Sequence, residues 1–306
     1  MRVLFAGGGT GGHVYPALAV ADRLAEIHPR FEALFIGTRS GLESKIVPEN
    51  GYRIEFITSR GVRGRGIAGK TRTLASLIFG VIQSSMILRR FNPDLVFGAG
   101  GYASVAVVFA AWLQRRKIVL QEQNSVPGLA NRFLSPCAER IYLGFEKAVS
   151  YLKKRKGVIY TGNPLRRSIT EGGSKDPEAS FGLNREMPVL LVFGGSQGAS
   201  TLNRVAVEYL LANDRVQGII QTGKRDYSEV KRKLEPAGSR VFVSQYISEI
   251  SDAYSVADIA LARSGALSVS ELIAVRLPSV LVPYLPGLRM IIRFITLKLS
   301  LIRGGR

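Results

Sequence analysis

Met1-Arg-Val-Leu-Phe-Ala-Gly-Gly-Gly-Thr-Gly-Gly-His13 opens the chain and decides its fold. An apolar strand runs into six residues of which five are glycine, and a helical pattern follows over Pro16–His28, with Pro16 suited to its first turn. Glycine allows a sharp turn and a close approach to a ligand, and a helix N-terminus presents N–H groups to an anion. The same order recurs at Val189-Leu-Leu-Val-Phe-Gly-Gly-Ser-Gln-Gly198. We therefore expect two nucleotide-binding folds of the doubly wound α/β class.

Apolar strand patterns alternate with helical patterns along the rest of the chain. Seven strands are expected before residue 161 and five after residue 187, with helices between them, one of them over Glu146–Lys153. This alternation favours parallel sheets covered on both faces. Thr161-Gly-Asn-Pro-Leu-Arg166 interrupts it and predicts a hinge, because a residue before proline disfavours helix. The predicted domains therefore cover residues 1–160 and 167–286, with the hinge over 161–166.

The chain is strongly basic, since 42 Lys and Arg against 23 Asp and Glu give a net charge of +19 over 306 residues. Unless it is only a solvated surface, that surplus predicts an anionic partner: a nucleic acid, an acidic membrane or a phosphorylated substrate. Nucleic acid is disfavoured, because the sequence has no helix-turn-helix cue and no basic motif with interleaved aromatics. The single cysteine, Cys137, excludes an internal disulfide, which favours a reducing cytoplasm and a packing role.

The longest apolar stretches favour a protein that lies on a membrane over one that crosses it. No signal peptide is visible, and Leu74–Leu88 and Val105–Leu113 are expected to be too short or too polar to span a bilayer. The helical pattern Thr71–Arg90 must pack partly into the core, and an apolar patch ringed by arginines also suits an acidic bilayer. The basic residues around it are Arg60, Arg63, Arg65, Lys70, Arg72, Arg89 and Arg90.

Three further segments follow predicted strands, and each has two interpretations. Gly98-Ala-Gly-Gly-Tyr102 either binds a second anionic group or forms a plain strand-to-helix turn. Gln121-Glu-Gln-Asn124 either opens on a site, since its polar side chains need partners, or forms a solvated loop. Ser196, in the second glycine loop, either caps the next helix or contacts a phosphate.

Two single residues carry the same ambiguity. His13 lies at a helix start, where it either makes a structural hydrogen bond or acts as a general base. Glu271, in Arg263-Ser-Gly-Ala-Leu-Ser-Val-Ser-Glu271, either holds ribose hydroxyls or belongs to a capping box. The first glycine loop is neither a Walker A motif, since no Lys-Ser or Lys-Thr follows it, nor a clean dinucleotide fingerprint.

Six motifs together carry a family resemblance. They are Gly8-Gly-Thr-Gly-Gly-His13, Gly98-Ala-Gly-Gly-Tyr102, Glu122-Gln-Asn124, Thr161-Gly-Asn-Pro-Leu-Arg166, Gly194-Gly-Ser-Gln-Gly-Ala199 and Arg263-Ser-Gly-Ala-Leu-Ser-Val-Ser-Glu271. In this order they resemble the MurG family, the peptidoglycan N-acetylglucosaminyltransferases of bacteria, from Met1 to about Pro286. The resemblance implies a GT-B fold, in which two Rossmann-like domains face a cleft.

The resemblance also implies a reaction and its site. GlcNAc would pass from UDP-GlcNAc, with inversion, to the 4-hydroxyl of MurNAc in undecaprenyl-diphospho-MurNAc-pentapeptide (lipid I), giving lipid II. The enzyme would be peripheral, on the cytoplasmic face of the bacterial inner membrane. His13 would be the general base, Glu271 would hold the ribose, and Gly9, Gly100, Gly101 and Tyr102 would bind the acceptor. The implied donor contacts are Thr10, Gly11, Gly12, Asn124, Arg166, Ser196, Ile247, Ala266, Leu267, Ser268, Val269, Ser270 and Glu271.

An inverting transfer needs a base for the attacking hydroxyl and a positive environment for the leaving UDP. The sequence contains no Asp-x-Asp motif that could carry a metal. A helix N-terminus with Arg166 or Arg263 nearby could stabilise the diphosphate instead. We therefore predict a reaction without a metal or a cofactor.

After Pro286 the resemblance stops. The family continues with an acidic and polar stretch, whereas this chain reads Gly287-Leu-Arg-Met-Ile-Ile-Arg-Phe-Ile-Thr-Leu-Lys-Leu-Ser300. One permitted set of codons for Arg289–Leu299, shifted by one base, encodes the family-like Ala-Asp-Asp-His-Gln-Ile-Tyr-Asn-Ala-Lys-Ala. We expect residues 287–306 to be an aberrant tail caused by a frameshift, and the chain as written to be weakly active or inactive. The alternative is a genuine variant with a basic amphipathic end.

Two other functions stay open at this point. One is a GT-B enzyme that acts on another lipid acceptor. The other is a nucleotide-sugar-binding protein without turnover.

Overall fold

The computed structural model describes residues 1–59, 67–153, 156–174, 176–177, 179–184, 186–195 and 197–283. The chain divides into two compact units, with the boundary between Arg166 and Arg167. The expectations for Arg60, Arg63, Arg65, Ser196 and the tail 287–306 lie outside the described residues.

The first unit is built on a seven-stranded parallel sheet. Its strands are β1 Arg2–Gly7, β2 Glu32–Gly37, β3 Arg53–Phe56, β4 Leu95–Gly100, β5 Ile118–Glu122, β6 Arg140–Leu143 and β7 Val158–Tyr160. They lie in the order β3-β2-β1-β4-β5-β6-β7, so the order reverses between β1 and β4. Parallel strands buried on both faces need continuous apolar runs, which is why β1, β2, β4 and β5 were readable from the sequence. The shorter strands β3, β6 and β7 lie nearer the sheet edges and carry charged or exposed residues.

Helices cover this sheet on both faces. In the described part of the unit they are α1 Gly11–Ile27, α2 Glu43–Glu49, α3 Ile67–Phe91, α4 Tyr102–Leu113 and α5 Leu129–Leu134. Alternate residues of β1 enter separate cores: Val3 and Phe5 pack with α1, whereas Leu4 and Ala6 pack with α4. Partly buried Cys137 packs against the second of these cores, and burial raises the pKa of its thiol, which fits the packing role.

Two helix expectations in this unit are wrong. Helix α1 begins at Gly11, because the Thr10 carbonyl accepts the N–H groups of His13 (3.1 Å) and Val14 (3.4 Å) within the glycine loop. Pro16 is therefore the sixth residue of the helix and lies beyond its first turn. The segment expected to be a helix over Glu146–Lys153 forms a 3₁₀ helix at Glu146–Tyr151.

Helix α3 is longer than expected. By length and composition alone its segment Thr73–Phe91 could cross a membrane, and that segment is longer than the expected apolar stretch Leu74–Leu88. One face of the helix belongs to the fold, since Leu77, Val81 and Leu88 pack into the core beneath α4. Its other face is apolar and exposed, with Leu74, Ile78, Phe79, Ile82 and Met86.

The second unit is built on a five-stranded parallel sheet. Its strands are β8 Val189–Phe193, β9 Gln217–Gln221, β10 Val241–Ser244, β11 Ile259–Arg263 and β12 Ser279–Val282, in the order β10-β9-β8-β11-β12. Its helices, within the described residues, are α6 Arg167–Glu171, α7 Ser200–Ala212, α8 Tyr227–Lys233, α9 Ile250–Val256 and α10 Ala266–Ala274. The order reverses between β8 and β11, and the two parallel sheets confirm the doubly wound α/β class.

Candidate functional site

The glycine-rich segments lie at the strands where each sheet reverses its order. In the first unit Gly7–His13 joins the end of β1 to the start of α1, and Gly98–Tyr102 joins the end of β4 to the start of α4. In the second unit the glycine loop Gly194–Gly198 follows β8, and Ser264-Gly265 follows β11. Adjacent connections leave to opposite faces at such a point and open a crevice at the carboxyl ends of the strands, where doubly wound folds bind their ligands.

Neighbouring side chains explain most glycines of the first loop. A Cβ on Gly8 would lie 2.3 Å from Glu43 Oε1, and one on Gly9, which has φ +91°, would lie 2.9 Å from the Tyr102 ring. The N–H of Gly9 donates to Glu43 Oε2 at 2.8 Å, so this N–H is not available for the predicted contact of Gly9 with the acceptor substrate. Gly12 is exposed, and its nearest neighbour would be Thr10 Oγ1 at 3.6 Å. The open part of the loop is therefore the start of α1, with Thr10, Gly11 and Gly12.

His13 is half-buried in the first turn of α1. Its Nδ1 lies 2.9 Å from the Ala99 carbonyl oxygen, which also accepts Gln123 Nε2 at 2.7 Å. Since a carbonyl only accepts, Nδ1 carries the hydrogen, and Nε2 of the neutral ring keeps its lone pair. The two interpretations of His13 are therefore compatible, because each uses a different ring nitrogen.

The end of β4 and the residue that follows it lie against His13 and the first glycine loop. A Cβ on Gly100 would come within 3.0 Å of His13 Nδ1, and one on Gly101 within 2.4 Å of the Gly8 carbonyl oxygen. Both glycines have positive φ, +93° and +82°. Tyr102 begins α4, and its hydroxyl lies 3.2 Å from Thr38 Oγ1. The structure thus brings His13, Gly9, Gly100, Gly101 and Tyr102 together.

The polar end of β5 is organised by a buried carboxylate. Glu122 Oε1 accepts the backbone N–H and the Nδ2 of Asn124, both at 2.9 Å. Glu122 Oε2 accepts the Gly128 N–H at 3.0 Å and Asn131 Nδ2 at 2.9 Å. The solvated-loop interpretation is therefore wrong for Gln121, Glu122 and Gln123, which are buried, while half-buried Asn124 is held in a fixed orientation.

Arg166 closes the first unit beside α1. Its guanidinium lies over the Tyr15 ring, 4.8 Å from the ring centroid. Its Nε is buried and makes no hydrogen bond within the described residues. A planar cation held against an aromatic face is well placed to bind an anionic ligand with its remaining N–H groups.

The second unit contains a cavity of about 810 Å³ where its strand order reverses. The glycine loop supplies Gly198, the end of β11 supplies Arg263, and the first turn of α7 supplies Ser200. Lys224 and Arg225 line the cavity from the loop that follows β9. Three cationic side chains beside a helix N-terminus suit a diphosphate.

Sequence motifs did not identify Lys224 and Arg225 as site candidates, because both lie outside the glycine-rich segments. The local sequence signal for a site here is Thr222-Gly223, directly after a strand. Arg225 donates through Nε to Asp226 Oδ1 at 3.0 Å and through Nη2 to Ser200 Oγ. A hydrogen bond from Ser200 lowers the pKa of Asp226, and partial burial opposes this. Asp226 therefore ties the cationic loop to the start of α7.

One alternative drawn from capping is wrong in this unit. The N-cap of α10 is Gly265, which places Glu271 in the second turn, beyond the capping-box position. Glu271 instead accepts the Tyr254 hydroxyl at 2.9 Å.

The remaining donor candidates of the second unit lie at two places. Ala266, Leu267, Ser268, Val269 and Ser270 form the half-buried start of α10 after the cavity residues Ser264 and Gly265. Ile247 is buried, and its N–H donates to Gln221 Oε1 at 2.9 Å. No group of three or more His, Cys, Asp or Glu that could hold a metal ion occurs among the residues that the structure describes.

Family models match both units of the chain. The N-terminal domain of glycosyltransferase family 28 matches residues 3–143, and the C-terminal domain of that family matches residues 189–289. The chain belongs to glycosyltransferase family 28. Within family 28 the chain is similar to curated proteins named UDP-N-acetylglucosamine–N-acetylmuramyl-(pentapeptide) pyrophosphoryl-undecaprenol N-acetylglucosamine transferase.

The similarity to these relatives extends over nearly the whole chain. The relative from Thermodesulfovibrio yellowstonii is 39% identical over 93% of this chain and 78% of its own length. The relative from Chlorobium luteolum is 42% identical over 93% of this chain and 79% of its own length. The crystal structure of Acinetobacter baumannii MurG superimposes with a TM-score of 0.67 at 24% identity, over 94% of this chain and 79% of that one. The resemblance to the MurG family and the GT-B fold are confirmed.

Proposed function

We propose that this family 28 glycosyltransferase moves GlcNAc from UDP-GlcNAc to lipid I and so produces lipid II. The names of relatives at about 40% identity supply the two substrates. One observation in this chain carries the proposal: each unit places a glycine loop and a helix N-terminus where its strand order reverses. A reaction between two diphosphate-linked substrates needs two such anion sites.

His13 is the proposed general base. Its Nδ1 is engaged by Ala99, so Nε2 is the atom that takes the proton from the attacking 4-hydroxyl of MurNAc. The hydroxyl oxygen bonds to the anomeric carbon as the bond from that carbon to the UDP oxygen breaks, and the electron pair leaves with UDP. Attack from the face opposite the leaving group inverts the anomeric centre.

The second domain, residues 167–286, is the proposed UDP-GlcNAc-binding domain. Lys224, Arg225 and Arg263 surround the cavity and would balance the charge of the leaving diphosphate. Glu271 would hold the ribose. The further proposed donor contacts are Thr10, Gly11, Gly12, Asn124, Arg166, Ser196, Ile247 and residues 266–270. Independence from metals stays a prediction, and retention of the transfer rate in excess EDTA would support it.

The first domain, residues 1–160, is the proposed acceptor and membrane domain. Its loops after β1 and β4 would take the acceptor diphosphate through Gly9, Gly100, Gly101 and Tyr102. Lipid I carries a polyprenyl chain, so the enzyme must reach a bilayer surface. We propose peripheral binding to the cytoplasmic face of the inner membrane.

The exposed face of α3 supports membrane binding. Phe79 is 61% exposed and stands among the other apolar residues of that face. Gln114 Nε2 donates to the Ser85 carbonyl at 3.1 Å, which places the end of α4, with exposed Trp112, beside α3. An exposed apolar patch of this kind marks an interaction surface, and nearby cations favour anionic lipid. Exposed basic residues close to the ends of α3 and α4 in the sequence are Arg89, Arg115 and Lys117.

A frameshift remains the proposed origin of residues 287–306. The match to the C-terminal domain of family 28 runs to residue 289, close to the point where the family-like sequence stops. Sequencing the DNA around codon 288 tests the idea directly. An in-frame read without the alternative continuation would refute it.

A transfer assay tests the proposed function. The chain and a version with the restored reading frame are incubated with UDP-GlcNAc and a lipid I analogue, and lipid-linked disaccharide is measured. The restored version should turn over, and the chain as written should bind UDP-GlcNAc and transfer weakly. Binding of UDP-GlcNAc by the restored version without any transfer would favour a nucleotide-sugar-binding protein, and transfer only to another lipid would favour a different acceptor.

A further inference from the structure

A buried carboxylate stands behind the first glycine loop. Glu43, the first residue of α2, exposes 1% of its surface. Its Oε2 accepts the Gly9 N–H at 2.8 Å, and its Oε1 accepts the Thr38 N–H at 2.8 Å and the Thr38 hydroxyl at 3.0 Å. Within the described part of the chain it forms no ion pair, so these hydrogen bonds are what stabilises it in the interior.

Three glycines make room for this one side chain. A Cβ on Gly8 would lie 2.3 Å from Oε1, one on Gly37 would lie 2.3 Å from Cγ, and one on Gly41 would lie 2.0 Å from Oε2 of Glu43. Any side chain at these positions would displace the carboxylate. Gly8 lies in the loop after β1, Gly37 ends β2 and Gly41 lies in the segment after β2. The carboxylate therefore joins these two connections at the edge of the sheet where the candidate site lies.

Glu43 also fixes a proton at Tyr102. The Thr38 hydroxyl has one hydrogen, and it donates this hydrogen to the carboxylate of Glu43, which offers only acceptors. In the 3.2 Å contact between Thr38 Oγ1 and the Tyr102 hydroxyl, the tyrosine must therefore be the donor. Its oxygen is left with lone pairs for a partner that donates.

We propose that Glu43 is a positioning residue for the acceptor substrate. Its carboxylate holds the Gly9 backbone and, through Thr38, turns the Tyr102 oxygen into a hydrogen-bond acceptor for a sugar hydroxyl or an amide N–H of lipid I. This inference rests on the proposed function, in which Gly9 and Tyr102 contact the acceptor. Glu43 itself touches no substrate and should leave binding of UDP-GlcNAc unchanged.

The test uses variants of the full chain and two binding measurements. The variants are Glu43→Gln, Thr38→Val and the conservative Thr38→Ser, with Glu49→Gln at the exposed end of α2 as the matched control. Dissociation constants are measured for a lipid I analogue with a shortened prenyl chain and for UDP-GlcNAc. Hydrogen–deuterium exchange of the peptide that spans Gly7–His13 reports on the loop without either ligand.

Glu43→Gln should raise the dissociation constant of the lipid I analogue about tenfold, because an amide places a donor against one of the N–H groups. It should speed exchange in the loop and change UDP-GlcNAc binding less than about twofold. Thr38→Val should weaken only the binding of the lipid I analogue, since the hydrogen bond that the Gly9 N–H donates to Glu43 stays. Thr38→Ser, which keeps the hydroxyl, should bind the analogue as the unmodified chain does. Glu49→Gln should match the unmodified chain in every measurement.

Unchanged acceptor binding in both Glu43→Gln and Thr38→Val would overturn the proposal. Equal losses of acceptor and donor binding would also overturn it, because they would indicate general damage to the fold. If the unmodified chain bound no lipid I analogue, the proposed function would fail together with the acceptor role, whereas the exchange data would still show whether Glu43 holds the loop. If Glu43→Gln does not fold, Thr38→Val and Thr38→Ser decide alone.

Discussion

Replacing Gly198 by alanine should damage the second glycine loop more than the same change at Gly195. Both glycines have a positive φ, +73° at Gly198 and +82° at Gly195, so alanine at either position costs about 1–2 kcal/mol of backbone strain. The two differ in their surroundings. A Cβ on Gly198 would lie 1.9 Å from the Thr222 carbonyl oxygen, whereas a Cβ on Gly195 would meet no atom within 4 Å.

The extra loss at Gly198 follows from that contact. A carbon and a carbonyl oxygen approach to about 3.3 Å, so the Thr222 carbonyl would have to move by roughly 1.4 Å. That carbonyl accepts Asn203 Nδ2 at 2.9 Å. Breaking this buried hydrogen bond costs about a further 1–3 kcal/mol. Because Gly198 lines the cationic cavity, the shift should also raise the dissociation constant of UDP-GlcNAc at least about tenfold, which corresponds to roughly 1.4 kcal/mol of binding free energy.

Urea unfolding and calorimetry with UDP-GlcNAc on Gly198→Ala and Gly195→Ala measure both effects. We expect Gly198→Ala to lose at least 1 kcal/mol more unfolding free energy than Gly195→Ala, by the estimate of the broken bond. Free energies of unfolding that agree within about 0.5 kcal/mol would refute the reasoning, because they would mean that the two loops are not in contact.

Three other predictions test separate parts of the account. His13→Gln should lower the transfer rate of the frame-restored enzyme by about a hundredfold or more while UDP-GlcNAc binding stays unchanged, and near-normal rates would leave His13 as a positioning residue. Phe79→Glu should weaken cosedimentation with anionic vesicles about tenfold or more, whereas Ile27→Glu, at another exposed apolar site, should not; equal effects would remove α3 as the membrane face. Asp226→Asn should be less stable than the unmodified chain at pH 6, because a lowered carboxyl pKa stabilises the fold only while the group is ionised. The difference should shrink as the pH falls below about 4 and through the lowered pKa of Asp226, and a difference that does not shrink below pH 4 would contradict this.

The central strands, such as β1, β4 and β8, were predictable because burial on both faces of a parallel sheet demands short apolar runs. The longer apolar run Val105–Leu113 belongs to helix α4. The ends of the helices were harder to predict from the sequence. α1 starts inside a glycine loop, where intrinsic propensity disfavours helix, because the Thr10 carbonyl accepts two N–H groups there. The 3₁₀ helix at Glu146–Tyr151 likewise carries an ordinary helical pattern.

The parts of the site that consist of glycine-rich segments at strand ends were predictable from the sequence. The residues that only tertiary contacts bring to the site were harder to predict. Gly100 and His13 stand far apart in sequence, yet the parallel pairing of β1 with β4 brings their loops together. Glu43 carries no motif, and its burial depends on glycines from two loops. Lys224 reaches the cavity only because β9 lies beside β8. These residues become functional candidates through neighbours that a linear pattern does not contain.

The linkage of the reaction product tests the central claim most directly. The frame-restored enzyme is supplied with UDP-GlcNAc and a lipid I analogue, and the configuration of the new glycosidic bond is determined by NMR. The account predicts a single lipid-linked disaccharide, joined at the 4-hydroxyl of MurNAc with the anomeric centre inverted. A product with retained configuration, or consumption of UDP-GlcNAc without a lipid-linked sugar, would contradict it.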